Sequence, residues 1–334
     1  MKGIIFKSFI CLTLLFFLNN ALADSIDNLK QHYKRPATIP FPQDNPYSLN
    51  KATLGKMLFF DSRLSQNQNM SCATCHNPSF GWENAVAQSV GSQNTKLGRH
   101  SPTAMNMAWG EHFFWDGRAE TLAEQALGPI QAAVEMNMTL EEVVNRLEKV
   151  QGYQTLFRKV FDDGITAQNI GKSIATFERT LVSGEAPFDR WIEGDESAIS
   201  DKAKQGFLVF NQQGHCADCH SGWNFTDNQF HDIGLYTEDV GRYGIDPSTE
   251  KNRYAFKTPS LRNIVQRAPY MHHGQLADLK NVIIHYVTGG IERASLSHKM
   301  KPVPLSSEQI EQLEAFLDTL QGEDQEMPLP VLPL

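Results

Sequence analysis

The sequence is short of cysteine and of long apolar runs, and both shortages limit what the protein can be. Only five cysteines occur in 334 residues, and one of them, Cys11, lies in an apolar run near the N-terminus. That run is shorter than the ~20 apolar residues that a membrane helix needs, and no later run approaches this length. We therefore expect no membrane span. The other four cysteines fall in two short motifs, so no thiol is left over for a structural disulfide.

The first 23 residues have the layout of a cleaved secretory signal. Lys2 and Lys7 precede the apolar run, and the small-residue segment 21–23 follows it. We expect the mature chain to begin at Asp24 and to be exported to the periplasm, with an uncleaved anchor as the alternative. Positive charge is scarce, since cleavage removes two of the 30 basic residues and none of the 38 acidic ones, which takes the net charge from −8 to −10. This balance argues against nucleic acid and would suit a basic protein partner.

The four remaining cysteines form two copies of one motif, Cys-x-x-Cys-His. Two thiols at this spacing can add to the vinyl groups of one porphyrin, and the histidine that follows can bind its iron. A single copy could be a redox pair or half of a zinc site, but two copies that both end in histidine make these alternatives weak. The sequence therefore predicts two covalently bound haems c, with these attachment residues and proximal ligands: Cys72, Cys75 and His76 for the first haem, and Cys216, Cys219 and His220 for the second.

Helical signals dominate the rest of the chain, and strand signals are scarce. Thr139 and Glu142 form a capping box ahead of an amphipathic segment. Similar patterns predict helices over residues 54–60, from about Thr166 to Val182 with Gly184 as a stop signal, and from Ser306 to a stop at Gly322. Residues 24–46 read as an extended arm, and the long loop over residues 77–103 is expected to lie over the open face of the first haem.

The order of helix, haem motif, long loop and closing helix occurs twice. Residues 55–60 precede the first motif and residues 206–210 the second, with related sequences. We predict a mainly α protein with two cytochrome c-like helical domains that are related by internal duplication, each enclosing one haem c. The predicted division is a signal peptide (1–23), an N-terminal haem domain (24–185) and a C-terminal haem domain (186–334), because Gly and Pro interrupt the pattern near residues 184–187.

Four further segments follow in order around the haem motifs: Phe-Trp-Asp-Gly-Arg-Ala at 114–119, a stretch at 125–136 with Gln-Ala, Pro and Glu-Met, Thr-Pro-Ser-Leu-Arg-Asn at 258–263, and Ala-Pro-Tyr-Met-His at 268–272. With these segments, which cover nearly all of the mature chain, the sequence resembles the bacterial dihaem cytochrome c peroxidases and their MauG-type branch. The resemblance implies a haem peroxidase. Its N-terminal haem would be peroxidatic, and its C-terminal haem would transfer electrons.

The resemblance also implies roles for four residues near the first haem. Trp115 matches a tryptophan that the family places between its two haems, where an indole shortens the electron-transfer gap; the alternative is a packed core aromatic. Glu135 matches a carboxylate on the open face of the peroxidatic haem, which can move a proton between the oxygens of hydrogen peroxide. An ordinary surface glutamate is the alternative for this residue. Gln125 and Pro129 match the same distal wall.

The chain departs from the family in the residues expected to fill the sixth coordination position of the two haem irons. Ser92 stands where many peroxidases carry a histidine ligand of the first haem, so we expect a five-coordinate first iron, with His100 and His112 as alternative ligands. At the second haem the family's axial methionine corresponds to Tyr286, the MauG-like choice. A phenolate stabilises ferric and higher states, whereas a thioether stabilises ferrous iron. His285, Met300 and a core tyrosine remain alternatives.

Two other features of the family are in doubt here. Relatives hold a calcium between the domains with an asparagine and two backbone carbonyls. His100 replaces the asparagine, and the carbonyls would belong to Arg267 and Pro269. The MauG-type surface tryptophan before the second motif is also missing, because Gly214 stands there; Trp191 or Trp223 would be other exits for oxidising equivalents, although packing is the commoner role.

Three functions follow from these observations. The first is a periplasmic dihaem enzyme that activates hydrogen peroxide at the His76 haem, shares oxidising equivalents with the His220 haem through Trp115, and oxidises a protein partner. The second is a scavenging peroxidase that draws electrons from a small cytochrome c. The third is a non-catalytic electron-transfer cytochrome in which both irons are six-coordinate.

Overall fold

The computed structural model describes residues 26–323 and 326–334. The predicted signal peptide lies outside these residues. Within the described chain, no helix is both long and apolar enough to cross a membrane.

The described chain is mainly helical, as predicted, and strands are minor. A two-stranded antiparallel sheet pairs β1 (Phe230–His231) with β2 (Phe256–Lys257), and Phe230 lies opposite Lys257. The α-helices are α1 (residues 26–31), α2 (Leu49–Phe60), α3 (Cys72–Cys75), α4 (Leu122–Gln131), α5 (Leu140–Leu147), α6 (Gln151–Arg158), α7 (Ala167–Arg179), α8 (Pro187–Ile192), α9 (Asp201–Asn211), α10 (Leu279–Thr288) and α11 (Ser307–Asp318).

Three helix starts that the sequence predicts are confirmed by their caps. The side chains of Thr139, Thr166 and Ser306 each accept a hydrogen bond from a backbone N–H in the first turn, which satisfies a donor that the helix itself leaves free. The predicted start of α2 was wrong, because this helix begins at Leu49 with Ser48 as its cap. The predicted extended arm was also wrong in part, since α1 lies within it.

Gly184 and Gly322 do not end their helices, which was the predicted role of both. Helices α7 and α11 end earlier, at Arg179 and Asp318. A Cβ at Gly184 would lie 2.1 Å from the Glu323 carbonyl oxygen, and one at Gly322 would lie 2.4 Å from the Gly184 carbonyl oxygen. These glycines therefore allow two backbone segments to pack directly against each other.

The internal duplication is visible in how the helices cross. In the first half α2 packs on α7 at Gly55, where a Cβ would lie 1.9 Å from the Ser173 carbonyl oxygen. In the second half α9 packs on α11 at Gly206, where a Cβ would lie 1.9 Å from the Gln312 carbonyl oxygen. Because both crossings need a glycine at the same relative position, the two halves share one helix pair in the same arrangement.

Each half has its own apolar core, and the N-terminal segment joins the core of the other half. The first core is built from α2 and α4–α7, and the second from α8–α11. Tyr33, which follows α1, is 2% exposed and lies in the second core. Its ring centroid is 5.3 Å from that of Phe207 and 5.1 Å from that of Phe225. The domain boundary near residue 185 stays a prediction.

Candidate functional site

Two cavities lie beside the two Cys-x-x-Cys-His motifs. The first, of about 470 Å³, is lined by Cys72, Cys75 and His76, by residues of α4 and α7, and by the end of the long loop over residues 97–104. The second, of about 180 Å³, is lined by Cys216, Cys219 and His220 and by residues of α10. All six predicted attachment and ligand residues therefore face a cavity.

The two histidines of the motifs are held in the same way. His76 Nδ1 lies 3.2 Å from the Trp82 carbonyl oxygen, and His220 Nδ1 lies 3.0 Å from the Phe225 carbonyl oxygen. A carbonyl can only accept, so Nδ1 carries the proton and Nε2 keeps a free lone pair for a metal. Burial lowers the pKa of both histidines, which favours this neutral form.

The cysteines also suit a covalent haem. None of the four cysteines forms a disulfide, and burial raises the pKa of each thiol. Within each motif the side chains of both cysteines and of the histidine line one cavity. Two thiols and one nitrogen with a free lone pair in each cavity form the donor set that a haem c requires.

Trp115 lines both cavities. Its indole Nε1 donates a hydrogen bond to the His100 carbonyl oxygen at 2.8 Å, and its own carbonyl accepts one from the Lys257 backbone N–H at 2.8 Å. Its ring centroid is 6.4 Å from that of His272. Contacts from both halves of the chain thus hold this indole in the wall that the cavities share.

Glu135, Gln125 and Pro129 all line the first cavity. Gln125 and Pro129 belong to α4, and Glu135 lies in the turn after it. Burial raises the pKa of the Glu135 carboxyl, and the nearby Arg118 partly opposes this effect. The result is a carboxyl group that faces the same cavity as His76 and binds a proton more readily than a glutamate in water.

The first cavity offers poor candidates for a second histidine ligand. Ser92 is buried outside the cavity lining, and its hydroxyl donates to the Ala133 carbonyl oxygen at 3.0 Å. His100 lines the cavity, but its ring nitrogens lie 3.0 Å from the Val86 carbonyl oxygen and 3.2 Å from Glu83 Oε2. His112 lies outside the lining of both cavities.

The second cavity contains a phenol, that of Tyr286, which the first cavity lacks. Tyr286, on α10, lines it, and burial raises the pKa of its hydroxyl well above the usual range. Met300 also lines this cavity. His285 does not, and its Nε2 lies 2.8 Å from the Ile233 carbonyl oxygen. Tyr286 and Met300 are therefore better placed than His285 to reach a metal in this cavity.

Among the ionisable residues of the cavity walls that sequence reasoning missed, Glu178 and Lys257 have strongly shifted pKa values. Glu178, on α7, lines the first cavity with Oε2 buried and unpartnered, and burial raises the pKa of this carboxyl to about 8. Its position four residues after the buried Ile174 was the signal that could have found it. Lys257 lines the second cavity, and burial lowers its pKa to about 8. No sequence pattern pointed to this lysine.

The calcium site and the alternative tryptophans gain little support. His100 replaces the asparagine, and the Arg267 guanidinium lies 3.1 Å from Glu83 Oε1 in the same region. Calcium prefers six to eight oxygen ligands, so this donor set does not fit it.

The two alternative tryptophans lie away from the cavities. Trp191 is 1% exposed, and it and Trp223 lie outside the lining of both cavities.

Comparison with known proteins gives a consistent result over most of the chain. A family model for di-haem cytochrome c peroxidase matches residues 49–197, and one for cytochrome c matches residues 203–321. The methylamine utilization protein MauG of Methylorubrum extorquens is 51% identical over 91% of this chain and 88% of its own. The cytochrome c551 peroxidase of Pseudomonas aeruginosa is 35% identical over 89% and 86%. The crystal structure of a MauG-like protein associated with microbial copper homeostasis superposes with a TM-score of 0.80 at 29% identity, over 87% of this chain and 95% of that one.

Proposed function

Because this chain belongs to the di-haem cytochrome c peroxidase family, with two covalently bound haems c, we propose that it is a MauG-like peroxidase. It activates hydrogen peroxide in the first cavity, shares the oxidising equivalents with the second through Trp115, and oxidises a protein partner. The observation that carries this proposal is the difference between the cavities. The first offers the acid Glu135, whereas the second offers the phenol of Tyr286.

The proximal histidines hold the two cofactors. When bound, each haem supplies an iron that exchanges single electrons, and the first also supplies the metal at which peroxide is cleaved. His76 and His220 present Nε2 to these irons because backbone carbonyls fix their Nδ1 protons. These hydrogen bonds orient both rings and make the imidazoles more basic ligands.

Glu135 moves the proton in the first cavity. Its carboxylate takes a proton from one oxygen of hydrogen peroxide and returns it to the other, which favours heterolytic cleavage of the O–O bond. A raised pKa suits both steps, since the carboxyl must both accept a proton and give it up again. Gln125 and Pro129 shape the same wall, and Gln125 adds an amide that can orient the peroxide.

Trp115 and Tyr286 serve the second half of the reaction. Trp115 offers an aromatic path between the cavities, and its N–H stays bound to a carbonyl that cannot take the proton. Tyr286 offers a hard oxygen donor to the second iron. Such a donor favours ferric and higher states, which suits a site that keeps an oxidising equivalent until a partner arrives.

The partner is a protein that is too large to enter either cavity. The 51% identical relative is named for methylamine utilization, so we place the partner in a methylamine-utilization system. The net charge of the mature chain, −10 after removal of Lys2 and Lys7, would favour a basic surface on that partner. The secretory layout of residues 1–23 places the reaction in the periplasm.

A scavenging cytochrome c peroxidase is the second candidate function. The specific observation in its favour is that Met300 lines the second cavity, because a thioether ligand suits a haem that accepts electrons from a cytochrome. The 35% identity to a cytochrome c551 peroxidase agrees with this function.

Two measurements on the ferric holoprotein test the proposal. One equivalent of hydrogen peroxide should change the optical spectra of both haems, and steady-state turnover with a reduced small cytochrome c should be slow. Rapid turnover with the cytochrome would instead support the scavenging peroxidase. No spectral response to peroxide would leave only the non-catalytic electron-transfer cytochrome.

A further inference from the structure

A buried cluster of three ionisable side chains lines the second cavity, and one of the three, His100, also lines the first. Glu83 and His100 come from the loop of the first half and Arg267 from the second half, and they are 6%, 4% and 3% exposed. Arg267 Nη1 donates to Glu83 Oε1 at 3.1 Å, and the Thr103 backbone N–H donates to the same oxygen at 3.0 Å. His100 Nε2 lies 3.2 Å from the other oxygen, Oε2. Both oxygens of the carboxylate are therefore engaged.

This cluster is connected to the residues that serve the cofactors. Glu83 follows Trp82, whose carbonyl oxygen fixes the ring of His76. The His100 carbonyl oxygen accepts the hydrogen bond of Trp115 Nε1, and the His100 backbone N–H donates to the His272 carbonyl oxygen at 2.8 Å. A shift of His100 would therefore move the indole that both cavities share.

A gain in stability does not by itself explain the buried ion pair of Arg267 and Glu83. Removing two charges from water costs several kcal/mol per ion, and apolar residues of similar volume often serve a core as well or better. A buried ion pair with fixed directions does, however, specify one arrangement of its neighbours. Arg267 suits this role because a guanidinium presents its hydrogen-bond donors in a fixed plane.

We propose that Arg267 is the resident cation of the junction between the two cavities, and that its ion pair with Glu83 positions His100 and, through it, Trp115. The protein therefore needs no calcium at this junction. Arg267 acts as a positioning residue. Its effect on electron transfer rests on the proposed function, in which one electron leaves the second haem, one arrives at the first, and Trp115 ends unchanged.

The metal content of the protein tests, without any activity measurement, the claim that this junction needs no calcium. Holoprotein purified in the presence of calcium and then desalted should hold far less than one calcium per chain. Its optical and electron paramagnetic resonance spectra should be the same with and without the chelator EGTA. One tightly held calcium per chain whose removal changes these spectra would overturn the inference.

Arg267→Gln tests the positioning claim, with Arg63→Gln as the matched control. Arg63 is also paired with a buried carboxylate, Asp61, but both residues lie outside the lining of the two cavities. After photoreduction, electron equilibration between the two haems should be about tenfold slower in R267Q, since small displacements of reacting groups have large effects on rate. It should be unchanged in R63Q and partly restored in Arg267→Lys.

The remaining outcomes separate the possible failures. If R267Q lowers the melting temperature as R63Q does but leaves the equilibration rate unchanged, Arg267 is only structural and the inference is wrong. If R267Q does not fold, Glu83→Gln replaces it, because its amide keeps the size and an acceptor while removing the charge. If the wild-type haems exchange no electrons, the proposed function fails. The calcium measurement would still show whether this junction binds calcium or relies on Arg267.

Discussion

The two cavities have the same kind of haem-attachment motif in their walls but differ in the other side chains that line them. In both, a Cys-x-x-Cys-His motif lines the wall and a backbone carbonyl fixes the histidine Nδ1. The first cavity is the larger, about 470 Å³ against 180 Å³, and contains Glu135; the second contains Tyr286. The duplicated scaffold therefore presents the same haem-attachment residues twice, while the other side chains that line the two cavities differ.

Replacing Glu135 by glutamine should have the largest effect, because in the proposed function its carboxyl moves the proton of hydrogen peroxide, and Glu135 lines only the first cavity. We expect the rate of reaction with hydrogen peroxide to fall by about 10²- to 10⁴-fold. Stopped-flow spectroscopy measures this rate, and Glu141→Gln, at an exposed glutamate on α5, is the control.

The pH profile gives a second readout of the same residue. Because the pKa of Glu135 is raised above its usual value, the carboxylate form grows as pH rises through that higher pKa. The rate in the wild type should increase over this range, and the profile of E135Q should be flat. An unchanged profile in E135Q would assign the proton transfer to another group.

Replacing Tyr286 by phenylalanine should change the second cavity alone. The low-spin signal of the second haem should be lost or shifted, while the signal of the first haem stays as it was, because the phenol lines only the second cavity. Electron paramagnetic resonance separates the two signals. Tyr236→Phe, at an 80% exposed tyrosine, controls for a general effect of the substitution.

Met300→Leu sharpens this result, since Met300 is the alternative axial ligand from the sequence that also lines the second cavity. A signal that survives in Y286F and disappears in M300L would assign the axial position to the thioether and favour the scavenging peroxidase.

Replacing Trp115 by phenylalanine should weaken the link between the cavities and leave each of them intact. The first haem should still react with peroxide, but the second should respond about tenfold more slowly, since the indole and its hydrogen bond to His100 are gone. Two-wavelength stopped-flow measurement follows both haems. Trp109→Phe, outside both cavities, should change neither rate. If the second haem responded equally fast in W115F and in the wild type, Trp115 would not lie on the electron-transfer path between the haems.

The smallest effect is expected for Glu178→Gln. Burial raises the pKa of Glu178 in the folded protein from its usual value of 4.5 to about 8, so the folded protein binds more protons than the unfolded chain between these two pH values. The stability that Glu178 contributes is complete below about pH 4.5 and is lost as pH rises through 8. Thermal melts of the wild type should therefore decline by a few degrees more than those of E178Q over this range. Parallel curves would show that Glu178 ionises normally.

The sequence predicted features that depend on neighbouring residues. The haem motifs have a fixed spacing, and the caps at Thr139 and Ser306 need only the next three residues. The family resemblance supplied Glu135 and Trp115, and the structure puts both of them in cavity walls.

Features that depend on distant residues could not be predicted in this way. Glu83 and Arg267 are 184 residues apart, and neither lies in a motif that links them. Gly184 looked like a helix stop, but its role becomes clear only when the Glu323 backbone packs against it. Lys257 became notable because folding buries it, and burial is a property of the whole chain.

The electron paramagnetic resonance spectrum of the ferric wild-type holoprotein tests the inequality of the two cavities most directly. If the first iron has an open position and the second is bound by Tyr286, the spectrum shows one high-spin and one low-spin centre in equal amounts. Two low-spin centres would contradict the account, because both irons would then be six-coordinate and neither could bind peroxide.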